Sequence, residues 1–91
     1  MDSKEGVRVN QQGHFGLYRG VVTGTDDPTR LGRIRVSVPR FFGTASVWAF
    51  PCLPTPTSEV PSVSIGVGIW VQFEGGDLQY PVYVGFFGQA S

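Results

Sequence analysis

Hydrophobic and polar positions alternate with a period of two in two stretches of this chain, and glycine or proline interrupts the sequence around each of them. In RIRVSVP, Arg33 to Pro39, the residues Ile34, Val36 and Val38 fall on one face and Arg33, Arg35 and Ser37 on the other, the pattern of a half-buried strand. From Gly66 to Glu74 the same rule sets Ile69, Val71 and Phe73 against Trp70, Gln72 and Glu74. Three more runs rich in β-branched and aromatic residues predict strands: FGLYRGVVTGT from Phe15 to Thr25, VWAFPCL from Val47 to Leu53 and PVYVGFF from Pro81 to Phe87. Gly16, Gly20 and Gly24 recur every fourth residue in the first of these. Glycine inside a strand marks a bulge, a bend or a close backbone approach, and so suits a long strand that curves around a small barrel.

The connections carry turn chemistry. DDPTRLG, Asp26 to Gly32, combines aspartates that bond their own backbone, the preset φ of Pro28 and a closing Gly32. GGDLQY, Gly75 to Tyr80, reverses the chain around Gly76 and Asp77, and Pro81 is expected to prevent pairing before the last strand begins. PTPTSEVPS, Pro54 to Ser62, has three prolines in nine residues and predicts a stiff, extended loop. Residues 1–14 are polar and predict an arm or loosely ordered entry, leaving residues 15–91 as the folded domain. Thirteen glycines and seven prolines leave little room for long helices. Five strands with turn signals every ten to fifteen residues or so predict an all-β fold, a small five-stranded Greek-key barrel of the OB type with no helix required.

Composition narrows the function. A chain of 91 residues is one domain and buries only about 60–65% of the surface its unfolded form exposes. With 41% hydrophobic and 15% charged residues, it is no disordered tail, and it holds either a dense core or surface reserved for other subunits. The net charge is zero, so nothing draws the whole chain to nucleic acid or an anionic membrane. All seven basic residues lie in the first 40 positions against four acids, a balance of +3, and the other 51 residues carry only Glu59, Glu74 and Asp77, a balance of −3. Cys52 is the only cysteine, which excludes an intrachain disulfide or a thiolate zinc site, and its place in the apolar run AFPCLP predicts a buried, reduced thiol. Met1 to Glu5 is polar and no apolar stretch approaches the ~20 residues of a spanning helix. The expectation is a protein kept in the cytosol, or leaving it by a route that reads no N-terminal signal, without stable membrane association.

The succession GLYRGVVTGTDDPTRLGRIRVSVP, VWAFPCLP and VPSVSIGVGIWVQFEGGDLQYPVYVGFFG resembles the OB-fold domain of the central spike proteins of contractile phage tails and type VI secretion systems. The resemblance rests on Gly20, Val22, Asp27, Pro28, Gly32, Arg33, Ile34 and Val36; on Trp48, Ala49 and Pro51; on Gly68, Ile69, Trp70, Val71, Phe73, Glu74, Gly76 and Asp77; and on Pro81, Val82, Val84 and Gly85. It implies a structural, non-enzymatic role without a cofactor: a homotrimer on the tail axis, seated on the hub ring protein and carrying the spike tip or needle. The expected location is the virion, in the baseplate of a phage tail or a related injection particle, assembled in the host cytoplasm. Members of that family commonly continue into a β-helical needle, and some carry a lysozyme domain. With Ser91 six residues after Gly85, the expectation is that the needle is a separate gene product or that this short form is the whole spike base.

Candidate chemistry elsewhere reads as structure. Asp26 and Asp27 before a proline read as a turn-capping pair rather than cation ligands, since hard cations usually want six or more oxygens. Glu74 and Asp77 sit in a hairpin turn without a recognisable sugar cleft, and His14, the only histidine, lies in the polar arm. Neither supports catalysis, and no phosphate-binding glycine-lysine pattern occurs. The competing function is single-stranded nucleic-acid binding, which OB folds perform with stacked aromatics and basic grooves: Arg33 and Arg35 share a face, Arg19 is expected near them, and Phe41, Phe42 and Trp48 follow. Zero net charge and the absence of lysine after Lys4 weigh against it. The subunit-interface candidates are therefore Trp70, Tyr83, Arg33, Arg35, Glu74 and Asp77, with the arginines pairing to carboxylates of a neighbour. Trp70, opposite the core face, is covered either by a partner or by the loop from Pro54 to Ser62.

Overall fold

The computed structural model describes residues 13–60 and 62–89. Five strands, β1 (Tyr18–Gly24), β2 (Ile34–Ser37), β3 (Val47–Pro51), β4 (Val67–Phe73) and β5 (Pro81–Gln89), close a barrel in the order β1-β2-β3-β5-β4, with β4 returning to pair with β1. All pairings are antiparallel except β3 with β5. The all-β OB barrel expected from the sequence is the fold, and each expected strand is present with ends moved by a few residues. The first begins at Tyr18 because Gly16 sits before it at φ 101°, and the last runs on to Gln89.

Alternation decides what enters the core. Ile34, Val36 and Val38 from β2 and its exit meet Val22 from β1, Ala49 from β3, and Ile69, Val71 and Phe73 from β4, all buried. At about 25 cal/mol per Å² of apolar surface, burying such side chains stabilises the barrel by roughly 1.5–3 kcal/mol each. Ser37, expected on the outer face, is buried instead and donates its hydroxyl hydrogen to the Gly43 carbonyl at 3.1 Å. Gly20 and Gly24 do as their spacing suggests. A Cβ on Gly20 would lie 3.0 Å from the Ser37 carbonyl oxygen, and the β1–β2 register shifts between Val22 and Gly24.

β5 holds two irregularities. Trp70 pairs with Gly85 and Val71 with Tyr83, leaving Val84 as an extra residue; Ile69 pairs with Phe86 and Gly68 with Gly88, leaving Phe87 as another. Each extra residue resets the alternation. Tyr83 and Phe86, three positions apart, therefore both pack on the core, their rings 5.8 Å apart.

One end of the barrel is plugged by a single helical turn, α1 (Pro39–Phe42), an element the strand pattern did not require. Pro39 starts it with a preset φ, and the Val38 carbonyl accepts the amides of Phe41 and Phe42 at 3.0 and 2.9 Å. The turn sets Phe41 edge-on to Tyr18 at 4.8 Å and to Phe73 at 5.5 Å. His14, expected in the arm, belongs to this plug: its ring lies 4.8 Å from Phe41 and its amide donates to the Gly76 carbonyl at 2.9 Å. Residues 1–12 of the expected arm lie outside the described residues.

Candidate interaction surface

The β1–β2 loop is organised by one carboxylate. Asp27 Oδ1 accepts the Thr29 amide at 2.9 Å, the Thr29 hydroxyl at 2.8 Å, and Arg33 Nε and Nη2 at 3.1 and 2.9 Å. Its Oδ2 accepts the Leu31 and Arg33 amides, both at 3.0 Å. The Arg33 guanidinium first, and the Thr29 and Arg33 donors after it, hold this carboxyl well below the usual carboxylate range against the opposing effect of burial. The turn expectation holds for Asp27, while Asp26 is exposed beside the clasp. Gly32 supplies φ 83°, and Val60 packs against its Cα hydrogens. Arg33, expected to pair with a neighbouring subunit, is instead bound to Asp27 of its own chain, because the loop returns it to the carboxylate six positions earlier in the sequence.

Arg19, Arg33, Arg35 and Arg40 lie over aromatic rings in separate places. Arg33 and Arg35 flank Trp48, with guanidinium carbons 4.6 and 5.4 Å from its ring, as the pairing of Arg35 with Trp48 across β2 and β3 requires. Arg19 is not beside them. Its register partner is Trp70 on β4, and its guanidinium lies 5.1 Å from the Trp70 ring and 4.7 Å from Phe87. Trp70 faces outward as expected and is half-buried, but its cover is Phe87 and Arg19 rather than the loop after Pro54. That loop is not extended either. Thr55 accepts the Ser58 amide at 3.2 Å in a tight turn, and its hydroxyl lies 2.9 Å from that of Ser58.

Tyr83, expected to face a neighbour, points inward and is 3% exposed. Its register partner Val71 is a core residue, so Tyr83 shares that face. The Tyr83 hydroxyl donates to the Gly32 carbonyl at 2.8 Å, and burial pushes the phenol pKa up. Cys52, expected to be buried, is exposed, because the alternation of β3 continues past Pro51 and turns it outward beside Phe50. Glu74 and Asp77 are both exposed in the hairpin. Glu74 opens a 3₁₀ turn whose Gly75 and Gly76 take φ 63° and 77°, and Asp77 Oδ1 accepts the Gln79 amide at 2.9 Å. Pro81 opens β5, yet the ladder reaches one residue further than expected, since the Tyr80 carbonyl accepts the Glu74 amide at 2.9 Å.

What results is a barrel whose outer face mixes exposed apolar side chains with arginines and a few carboxylates. Among the described residues no three His, Cys, Asp or Glu side chains gather where they could hold a metal ion. Phe50 and Val84 are 47% and 37% exposed, and the sequence reading missed both. The alternation of Phe50 with Ala49 carried the first; the bulge at Val84 has no such signal. A family model described as the type VI secretion system/phage-baseplate injector OB domain matches residues 18–87, from the first residue of β1 to within two of the end of β5. No curated protein matches the chain.

Proposed function

The chain belongs to the type VI secretion system/phage-baseplate injector OB domain family, a structural baseplate family, and from that premise we propose that it works as a homotrimer joining the hub ring to the spike tip of a contractile injection particle. The reading puts it in the virion of a phage, or in a related particle, as a part that carries load. The observation that supports it is the family match across all five strands. The outward Trp70, Arg35, Glu74 and Asp77 are the proposed contacts with neighbouring subunits, because aromatic and arginine side chains anchor interfaces.

The competing reading, a single-stranded nucleic acid partner, is favoured by Trp48 with two guanidiniums over its ring on the β2–β3 face, where OB folds bind oligonucleotides. Against it, Asp27 neutralises one of the two cations and the chain as a whole carries no net charge. Light scattering over a concentration series separates the readings. A solution mass near three times 9.9 kDa with no response to labelled single-stranded DNA fits the spike role. A monomer that binds the DNA, with affinity falling steeply as salt rises, replaces it with the rival.

A further inference from the structure

The parallel β3–β5 pair turns apolar side chains to the outside. Phe50 stands across the ladder from Val82, and Cys52 and Val84 line the same two grooves one step further on. Tyr80 extends this row at one end, and Phe15, 54% exposed, flanks it beside Glu74. Three open grooves of about 360, 260 and 200 Å³ run along the row and share walls, Glu74 and Val82 between the first two, Cys52 and Val84 between the second and third. A continuous apolar surface of this kind marks an interaction site.

Charge identifies the occupant. The ionisable carboxylates at these grooves are Glu74 and Glu59, with Asp77 beside Glu74 in the hairpin, and no lysine or arginine occurs after Arg40. The next sector of the barrel, which begins at Trp48, is the reverse: the guanidiniums of Arg33 and Arg35 lie over the Trp48 ring, and that of Arg33, held by Asp27, is 5.8 Å from the Phe50 ring. On β2 the exposed Arg35 has no carboxylate partner among the described residues, and Arg40 follows at the start of α1. Resting on the trimer proposed above, we infer that a second copy of this chain covers the β3–β5 face, bringing its Arg35 side against Glu74 and the row of Phe50, Val82 and Val84. The strand order makes the two patches adjoining sectors rather than opposite poles of the barrel. A head-to-tail contact forms a ring where its rotation closes and a filament where it does not, and patches on adjoining sectors give the large turn per copy that a ring of three needs.

Cys52 reports on this face without any mutation, being the only thiol in the chain and standing within it. The rate of alkylation by iodoacetamide is measured on the full chain across a dilution series, with the mass of each sample taken by light scattering. The expected result is a trimer at high concentration whose Cys52 reacts at least about tenfold more slowly than in the dilute monomer, the ratio that corresponds to 1.4 kcal/mol of protection. A trimer whose thiol reacts at the dilute rate overturns the inference and leaves the trimer standing, with the copies meeting elsewhere. A monomer at every concentration overturns both. A charge exchange adds the polarity: Glu74→Arg should lower the mass and the added Arg35→Glu restore it, and an unchanged mass in Glu74→Arg removes this pair from the contact.

Discussion

Tyr83 on β5 reaches the carbonyl of Gly32 in the β1–β2 loop with a 2.8 Å hydrogen bond that spans 51 residues of sequence. This bond fastens the last strand to the first long loop from inside the barrel. Tyr83→Phe keeps the ring and removes the donor, so its expected cost is about 1 kcal/mol, or about 4–8 °C in Tm for a domain this small. Because burial raises the phenol pKa in the folded state, the neutral hydroxyl stabilises the fold below the ordinary tyrosine value of about 10, and that contribution is lost as pH climbs through the folded value. Absorbance titration of the wild type should show a late tyrosine step that is missing in the variant; an identical titration and Tm would show the bond to be idle.

Asp27 gives the opposite pH dependence. Its carboxyl titrates well below the usual range in the folded protein, so its contribution is complete above the unfolded value near ~4 and drains away as the pH falls through that value toward the folded one. Asp27→Asn should lower Tm at pH 7 and flatten the acid limb between about pH 5 and pH 2. Melting curves of both proteins should converge at the acid end, and curves that stay parallel would remove Asp27 from acid unfolding.

Gly32→Ala meets two obstacles. The backbone is at φ 83°, and a new methyl would lie 2.5 Å from Val60 Cγ2. The strained backbone alone costs about 1–3 kcal/mol. Placing the same substitution on a Val60→Ala background should relieve the overlap but not the strain, giving partial rescue in a urea double-mutant cycle. Equal losses on both backgrounds would show that the loop yields to the methyl without cost.

Trp70→Ala uncovers Phe87, whose ring packs 4.8 Å from the indole and lies over Gly68. Half-buried, the side chain should contribute roughly 2 kcal/mol, about half the cost of truncating a fully buried tryptophan. If Trp70 also touches a neighbour, the solution mass should fall at protein concentrations where the barrel remains folded. An unchanged mass beside a lowered Tm assigns Trp70 to the barrel alone.

The inward sets of β2 and β4 could be read from sequence because period-two alternation survives wherever a strand pairs regularly. Asp27, Pro28 and Gly32 announced their turn, although not the capture of Arg33, which depends on where the loop returns. β5 was less legible. Its two extra residues shift which side chains face inward, and only the partner strand reveals them, so Tyr83 was placed on the wrong face. Cys52 differs for a related reason: an apolar run predicts burial throughout, whereas this one belongs to a strand with an outer side. The outward row of exposed Phe50 and Val84 with half-buried Val82 is brought together by the one parallel pairing, and strand order is not written in local pattern.

The return of β4 to β1 leaves the sheet without a free edge. Unpaired edges invite strand addition from any similar chain, a hazard wherever many copies of a β-protein are held close together. Here every strand has a partner on both sides over at least part of its length, so copies are left to join chiefly through side chains. Recognition then depends on which residues stand outside, and a change of partner can evolve one side chain at a time while the wall stays as it is.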